Sequence, residues 1–101
     1  MLDAAREALG FSQGRSRPDL DRDRMLVLSL VKDIEIIGEA GYQISDVTRD
    51  QLPAVPWQDI VSMRHRLVHA YFDINLDVLW QTVQEDLPAL IAILTPILPE
   101  E

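Results

Sequence analysis

The chain has 101 residues, the length of one domain, and its 48% apolar and 26% charged residues are typical of a folded protein rather than a disordered one. It contains no cysteine, which excludes disulfides, thiolate metal sites and a cysteine nucleophile. Its formal net charge of -8 excludes nucleic-acid binding by general attraction, so any contact with phosphate must be local.

The first part of the chain is predicted to be helical. A short helix covers residues 2–9, and a polar loop containing glycine covers residues 10–17. From Pro18 to Gly38 apolar residues recur at helical spacing, which predicts one long helix with proline in its first turn. The apolar positions of that helix are Leu20, Met25, Leu28, Val31, Ile34 and Ile37.

Arginine and aspartate alternate where the long helix begins. Because the two charges alternate, their net field is weak, and the pattern predicts salt bridges at the helix start in preference to a path for RNA. The residues are Arg15, Arg17, Arg22 and Arg24 with Asp19, Asp21 and Asp23.

Glycine then weakens the helical pattern. Gly38 and Gly41 are expected to loosen the end of the long helix. Ser45 is placed to begin a short helix over residues 46–52, because a serine hydroxyl can accept a hydrogen bond from a free amide of the first turn.

Two more helical segments are predicted in the second part of the chain. A third major helix covers residues 57–71, after a proline that suits a helix start. A turn over residues 73–75 ends in Asn75, which is expected to cap the next helix. Pro88 interrupts or kinks that helix, and residues 89–98 continue it as an apolar segment.

The predicted fold class is all-α, a single antiparallel helical bundle over residues 1–101. No segment alternates convincingly as a strand, and Trp57 and Trp80 are assigned to packing. The first residues lack the apolar stretch of a signal peptide, and no apolar run approaches the roughly 20 residues that span a bilayer. A cytoplasmic location is therefore expected.

The segment from Arg64 to Tyr71 contains both histidines of the chain and two arginines. RNA cleavage without a metal needs groups that move protons and a fixed positive charge near the phosphate, and histidine and arginine supply these. On an ideal helix Arg64 and His69 are separated by roughly 140° and 7.5 Å. They could serve one phosphate if the helix end unwinds, if the arginine reaches over, or if a second copy supplies the partner residue.

Two other interpretations of this segment stay open. In the first, Arg64 and Arg66 form a solvated helix face, and His69 is a packing histidine. In the second, His65, His69 and Asp73 bind a metal from one face of a continuous helix, although the arginines beside them would repel a divalent cation. No cofactor-binding motif is present.

The element Arg64-x4-His69-x-Tyr71 resembles the signature of the HEPN superfamily in its HepT form. Residues 34–40, 55–64 and 78–88 agree with that family in order and approximate spacing. The resemblance implies a homodimeric toxin that cleaves RNA, with transfer RNA as the expected substrate, paired with a minimal nucleotidyltransferase as antitoxin.

The resemblance also implies roles for individual residues. Arg64 would hold the scissile phosphate and His69 would move the proton, the two coming from opposite subunits. The partner would attach AMP to the hydroxyl of Tyr71 and so block the site. His65 and Glu39 are candidates to line the same cleft. The site is expected to need neither a metal nor a cofactor. The rival functions are a non-catalytic helper that binds the nucleotidyltransferase and a purely structural dimer module.

Overall fold

Helices account for nearly all of the secondary structure, which confirms the all-α fold class. The computed structural model describes residues 1–70 and 73–97 and, for His69 and Ala70, the backbone alone. The elements are α1 (Leu2–Ser12), α2 (Asp19–Arg22), α3 (Arg24–Tyr42), α4 (Asp46–Gln51), α5 (Trp57–Leu67), β1 (Val68–Ala70), β2 (Asp73–Ile74), α6 (Leu76–Gln81), a π-helical turn (Thr82–Asp86) and α7 (Leu87–Leu94).

The core forms around α3, which packs against α1 and α5, while α7 packs against α1. Apolar side chains from these helices and from α6 are fully buried where the helices meet, which removes their surface from water. The fully buried residues include Leu30, Ile34, Ile37, Ile60, Leu67, Leu79, Val83 and Leu87. Trp57 and Trp80 pack against this core as predicted.

The long helix does not begin at Pro18, so that prediction was wrong. Asp23 has an extended backbone, and its carboxylate accepts a hydrogen bond from the amide of Leu26 at 3.1 Å. It is therefore the N-cap of α3 and separates this helix from α2. Arg15 donates to the same carboxylate at 2.7 Å, and this bond, with that of Leu26, holds the pKa of Asp23 below its ordinary value. The salt-bridged helix start is confirmed.

Gly38 and Gly41 do not loosen α3, which continues through both to Tyr42. They allow close contact with α5 instead. A Cβ at Gly41 would lie 2.7 Å from Cγ2 of Ile60, and one at Gly38 would lie 3.3 Å from the carbonyl oxygen of Ile60. The two glycines thus set the distance between the helices that carry the candidate site.

Helix α5 ends at Leu67, four residues before the predicted end. The following β1 pairs antiparallel with β2, a short pairing that no convincing alternating pattern in the sequence indicated. The carbonyl of Leu67 accepts a hydrogen bond at 2.7 Å from the amide of Asn75 across this hairpin, and the chain turns away from the helical path. Tyr71 lies outside the described residues.

The last helical segment is widened, not interrupted, near Pro88. Asn75 caps α6 as predicted, because its side chain accepts from the amide of Val78 at 3.1 Å. The amide of Leu87 then bonds to the carbonyl of Thr82, five residues earlier, in the π-helical turn. Pro88 has no amide hydrogen and its ring would clash with the preceding turn, which explains the wider geometry just before it.

In the first half of the chain, the start of α4 agrees with its local signal and the end of α1 does not. Helix α1 runs to Ser12 and so extends three residues beyond its predicted end. Ser45 caps α4, accepting from the amide of Thr48 at 3.2 Å as expected. Helix α7 ends at Leu94, so the predicted continuation over residues 89–98 was too long, and its final residue lies outside the described part of the chain. Among the described helices, none is both long and apolar enough to cross a membrane.

Candidate active site

Arg64 lies in the last turn of α5 and points toward α3. Its Nε is 3.5 Å from Oε2 of Glu35, and both side chains are partly exposed. Within the part of the chain that the structure describes, this buried Nε finds no hydrogen-bond acceptor. The guanidinium is therefore oriented by the charge of Glu35, and the exposed part of the side chain is open to an acceptor in the solvent.

Two grooves meet at the Arg64–Glu35 pair, because both residues line each of them. The first, which we call the His65 groove, has a volume of about 350 Å³ and is also lined by Gly38, Glu39, Tyr42, Val61 and His65. The second, the Ile74 groove, has a volume of about 140 Å³ and is also lined by Leu28, Val31, Lys32, Val68 and Ile74.

Three of the predicted site residues share the His65 groove. Arg64 and His65 reach it from α5, and Glu39 reaches it from α3. His69 belongs to β1, so it no longer follows the helical path of Arg64, and its side chain lies outside the described part of the chain, as does Tyr71. The helix end unwinds between Arg64 and His69, which is one of the arrangements that would let the two serve one phosphate.

The metal interpretation loses its geometric basis. It required one continuous helix from His65 to Asp73, but α5 ends at Leu67 and Asp73 lies in β2. The solvated-face interpretation fits Arg66, which is exposed and donates to the carbonyl of Asp59 at 3.2 Å. It does not fit Arg64, which contacts α3.

Sequence reasoning missed Glu35, Lys32 and Tyr42 as members of the site. Glu35 lies one turn before Glu39, so the two acids share a side of α3, and this spacing is a visible signal. Which basic residue they would meet depends on how α3 crosses α5, and the spacing gives no information on that.

The sequence profile described as Ribonuclease HepT-like matches residues 1–97. The chain belongs to the HepT-like ribonuclease family. The resemblance inferred from the Arg64 segment is thereby confirmed, and family membership supports ribonuclease activity.

Curated relatives of this HepT-like chain agree with that assignment. A candidate RNase of Methanocaldococcus jannaschii is 32% identical over 90 residues, which are 89% of this chain and 83% of that protein. A candidate HepT ribonuclease of Thermococcus cleftensis is 40% identical over 68 residues, 67% of this chain and 62% of its own. A candidate RNase of Caldanaerobacter subterraneus subsp. tengcongensis is 35% identical over 89 residues, 88% of this chain and 80% of its own. No solved structure matches the chain.

This HepT-like chain also exposes apolar side chains along α3, beside the candidate site. Met25 is 80% exposed, Leu28 45%, Ile36 41% and Tyr42 72%. We call these four residues the α3 face. Leu28 also lines the Ile74 groove and Tyr42 the His65 groove, so the α3 face and the site are continuous.

Proposed function

We propose that this protein is the toxin of a toxin–antitoxin pair, a cytoplasmic ribonuclease that cleaves transfer RNA without a metal or cofactor. Residues 1–101 act as one unit. The observation that carries the proposal is Arg64, partly exposed and held beside Glu35 at the meeting point of two grooves, in a chain of the HepT-like ribonuclease family.

The proposed reaction is an internal transesterification. His69 takes the proton of the ribose 2′-hydroxyl, the 2′-oxygen attacks phosphorus, and the 5′-oxygen leaves with a proton from a second acid group. The products are a 2′,3′-cyclic phosphate and a 5′-hydroxyl end. Arg64 stabilises the negative charge that grows on the phosphate oxygens, as a preorganised guanidinium does in other phosphoryl reactions.

A homodimer provides the second set of groups. The α3 face supports it, since its four exposed apolar side chains lie on one side of a helix and offer surface that a second subunit would bury. A two-fold axis near Ile36 would pair this face with itself and place the His65 grooves of both subunits beside the shared surface. Arg64 of one subunit would then serve the same phosphate as the imidazole of His69 from the other.

Cleavage in the presence of EDTA tests the activity. We expect the unmodified protein to cut transfer RNA, and we expect Arg64→Ala and His69→Ala each to reduce the rate by at least about 100-fold, the scale of a lost catalytic group. Arg66→Ala is the matched control, because it removes the same charge two residues away and should keep near-normal activity. Intact RNA with unmodified protein would favour the helper function, and loss of activity on chelation would favour a metal.

Control of the toxin is proposed to act through Tyr71. The cognate nucleotidyltransferase attaches AMP to its hydroxyl and adds phosphate charge close to the arginine site, which excludes RNA by charge and bulk. After co-expression with that partner, mass spectrometry should find the AMP adduct on Tyr71 and find none in Tyr71→Phe. An adduct that persists elsewhere in the variant would contradict this assignment.

A further inference from the structure

A third groove adjoins the candidate site, because Ile74 lines both it and the Ile74 groove. It has a volume of about 320 Å³, and we call it the Arg22 groove. Leu20, Val27, Ile74 and Leu76 supply its apolar lining, and Asp21, Arg22 and Arg24 supply its polar lining. We propose that the Arg22 groove is a nucleotide subsite that holds one unit of the RNA strand next to the scissile phosphate. The proposal rests on the proposed function and extends it to the path of the substrate.

The lining of the groove matches the chemistry of an unstacked nucleotide. An apolar surface of this kind accepts the face of a base, and guanidinium groups stack on bases or bind the phosphate. Arg22 is 72% exposed in its side chain, and its ion pair with Asp19 at 3.3 Å leaves it open to solvent. A carboxylate such as that of Asp21 can accept hydrogen bonds from the amino group of a base.

Charge is distributed unevenly between the grooves and the rest of the molecule. The three adjoining grooves are lined by Arg22, Arg24, Lys32 and Arg64, against Asp21, Glu35 and Glu39. Their lining therefore has a formal charge of +1, whereas the remainder of the chain has -9. A strand of RNA that follows the grooves avoids the acidic surface, which explains how a chain of charge -8 could bind a polyanion.

Several other arginines are committed to internal contacts. Arg15 pairs with Asp23, and Arg17 pairs with Asp77, each at 2.7 Å. Arg49 donates to the carbonyl oxygen of Gly41 at 2.8 Å. The prediction that this charge cluster forms salt bridges in preference to a path for RNA therefore holds for Arg15 and Arg17, whereas Arg22 pairs with Asp19 at 3.3 Å and still keeps 72% of its side chain exposed.

Binding of an uncleavable probe tests the subsite. The probe is a fluorescent single-stranded 2′-O-methyl oligoribonucleotide, which lacks the attacking hydroxyl, and anisotropy gives its Kd at several salt concentrations. We expect Arg22→Ala with Arg24→Ala to weaken binding by about ten-fold or more and to lower the salt slope by about 0.7 for each phosphate that the protein no longer neutralises. Arg6→Ala, an exposed arginine of α1 outside the three grooves, is the matched control and should change neither value.

The outcomes separate this inference from the proposed function. Unchanged Kd and salt slope in the double variant, with circular dichroism like that of the wild type, overturn the subsite even if RNA is still cleaved. Because Arg24 begins α3, the single variant Arg22→Ala is measured as well, and it should show part of the loss. Binding of AMP alone that depends on Arg22, with no change in oligonucleotide affinity, would assign the groove to a free nucleotide and also overturn the proposal.

Discussion

Asp33 is a buried acid in a position that offers little to stabilise its charge. It lies on α3 with 2% of its surface exposed, and Oδ2 meets no donor among the residues that the structure describes. Burial and then the neighbouring carboxyl of Glu7 raise the pKa of Asp33 from 3.8 to about 7. A hydrogen bond between the two carboxyl groups requires a proton, so the folded protein prefers the protonated acid.

The raised pKa of Asp33 predicts how stability changes with pH. A group that binds its proton more tightly in the folded state stabilises the fold fully below pH 3.8, and this contribution disappears as pH rises to about 7. Asp33→Asn keeps a neutral donor beside Glu7, so it should raise the free energy of unfolding at pH 8 by about 1–3 kcal/mol. Urea denaturation at pH 8 and pH 5 checks this, and the gain should shrink at pH 5. Asp50→Asn, an exposed acid of α4, should show no such pH-dependent gain.

The candidate site shows which residues local sequence can reveal. Arg64 and His65 stand in a short segment of unusual composition, and chemistry alone was enough to single them out. Glu35 lies 29 positions before Arg64 in the sequence, and its contact with Arg64 exists only because α3 and α5 cross closely. A residue whose role depends on a distant partner cannot be predicted from its own neighbours.

At the scale of elements, the α3–α5 contact sets the geometry of the site, and Gly41 makes it possible. Gly41→Ala would place a methyl group 2.7 Å from Cγ2 of the fully buried Ile60, so one helix must move. We expect a loss of about 1–3 kcal/mol in the free energy of unfolding, together with reduced RNA cleavage. Gly10→Ala is the matched control, since nothing lies within 4 Å of its added carbon. In helix α1 it should instead stabilise by about 0.4–1 kcal/mol, and equal losses in both variants would contradict the role given to Gly41.

Element boundaries were predictable where a cap acts within one turn. Ser45 and Asn75 each bond to an amide three residues later, and both helix starts were predicted. The end of α5 was not, because the carbonyl of Leu67 bonds to Asn75 across the hairpin. Asp23 also caps its helix through a local hydrogen bond. Its role was not predicted, because the apolar spacing continues without interruption from Pro18 and suggested a single long helix.

At the scale of the whole molecule, the question is whether the site is built from two chains. Arg64 lies beside the α3 face, and Leu28 and Tyr42 of that face line the two grooves that meet at it. A subunit that packed on this face would border both grooves at once. The proposed homodimer therefore determines which residues make up the site. Whether those residues come from one subunit or from two can be measured.

Mixing two inactive variants shows whether each site is shared between subunits. If Arg64 and His69 of each site come from opposite subunits, a dimer of Arg64→Ala with His69→Ala has one intact site and one site that lacks both groups. Random exchange of subunits should then restore about one quarter of the wild-type cleavage rate, whereas sites built within one chain recover nothing. Adding Ile36→Glu to both variants puts charge into the α3 face and should abolish the recovery. Val47→Glu, at an exposed apolar residue of α4, should leave it intact. Recovery that survives Ile36→Glu would place the subunit contact elsewhere, and no recovery in any mixture would show that the two residues do not meet across subunits.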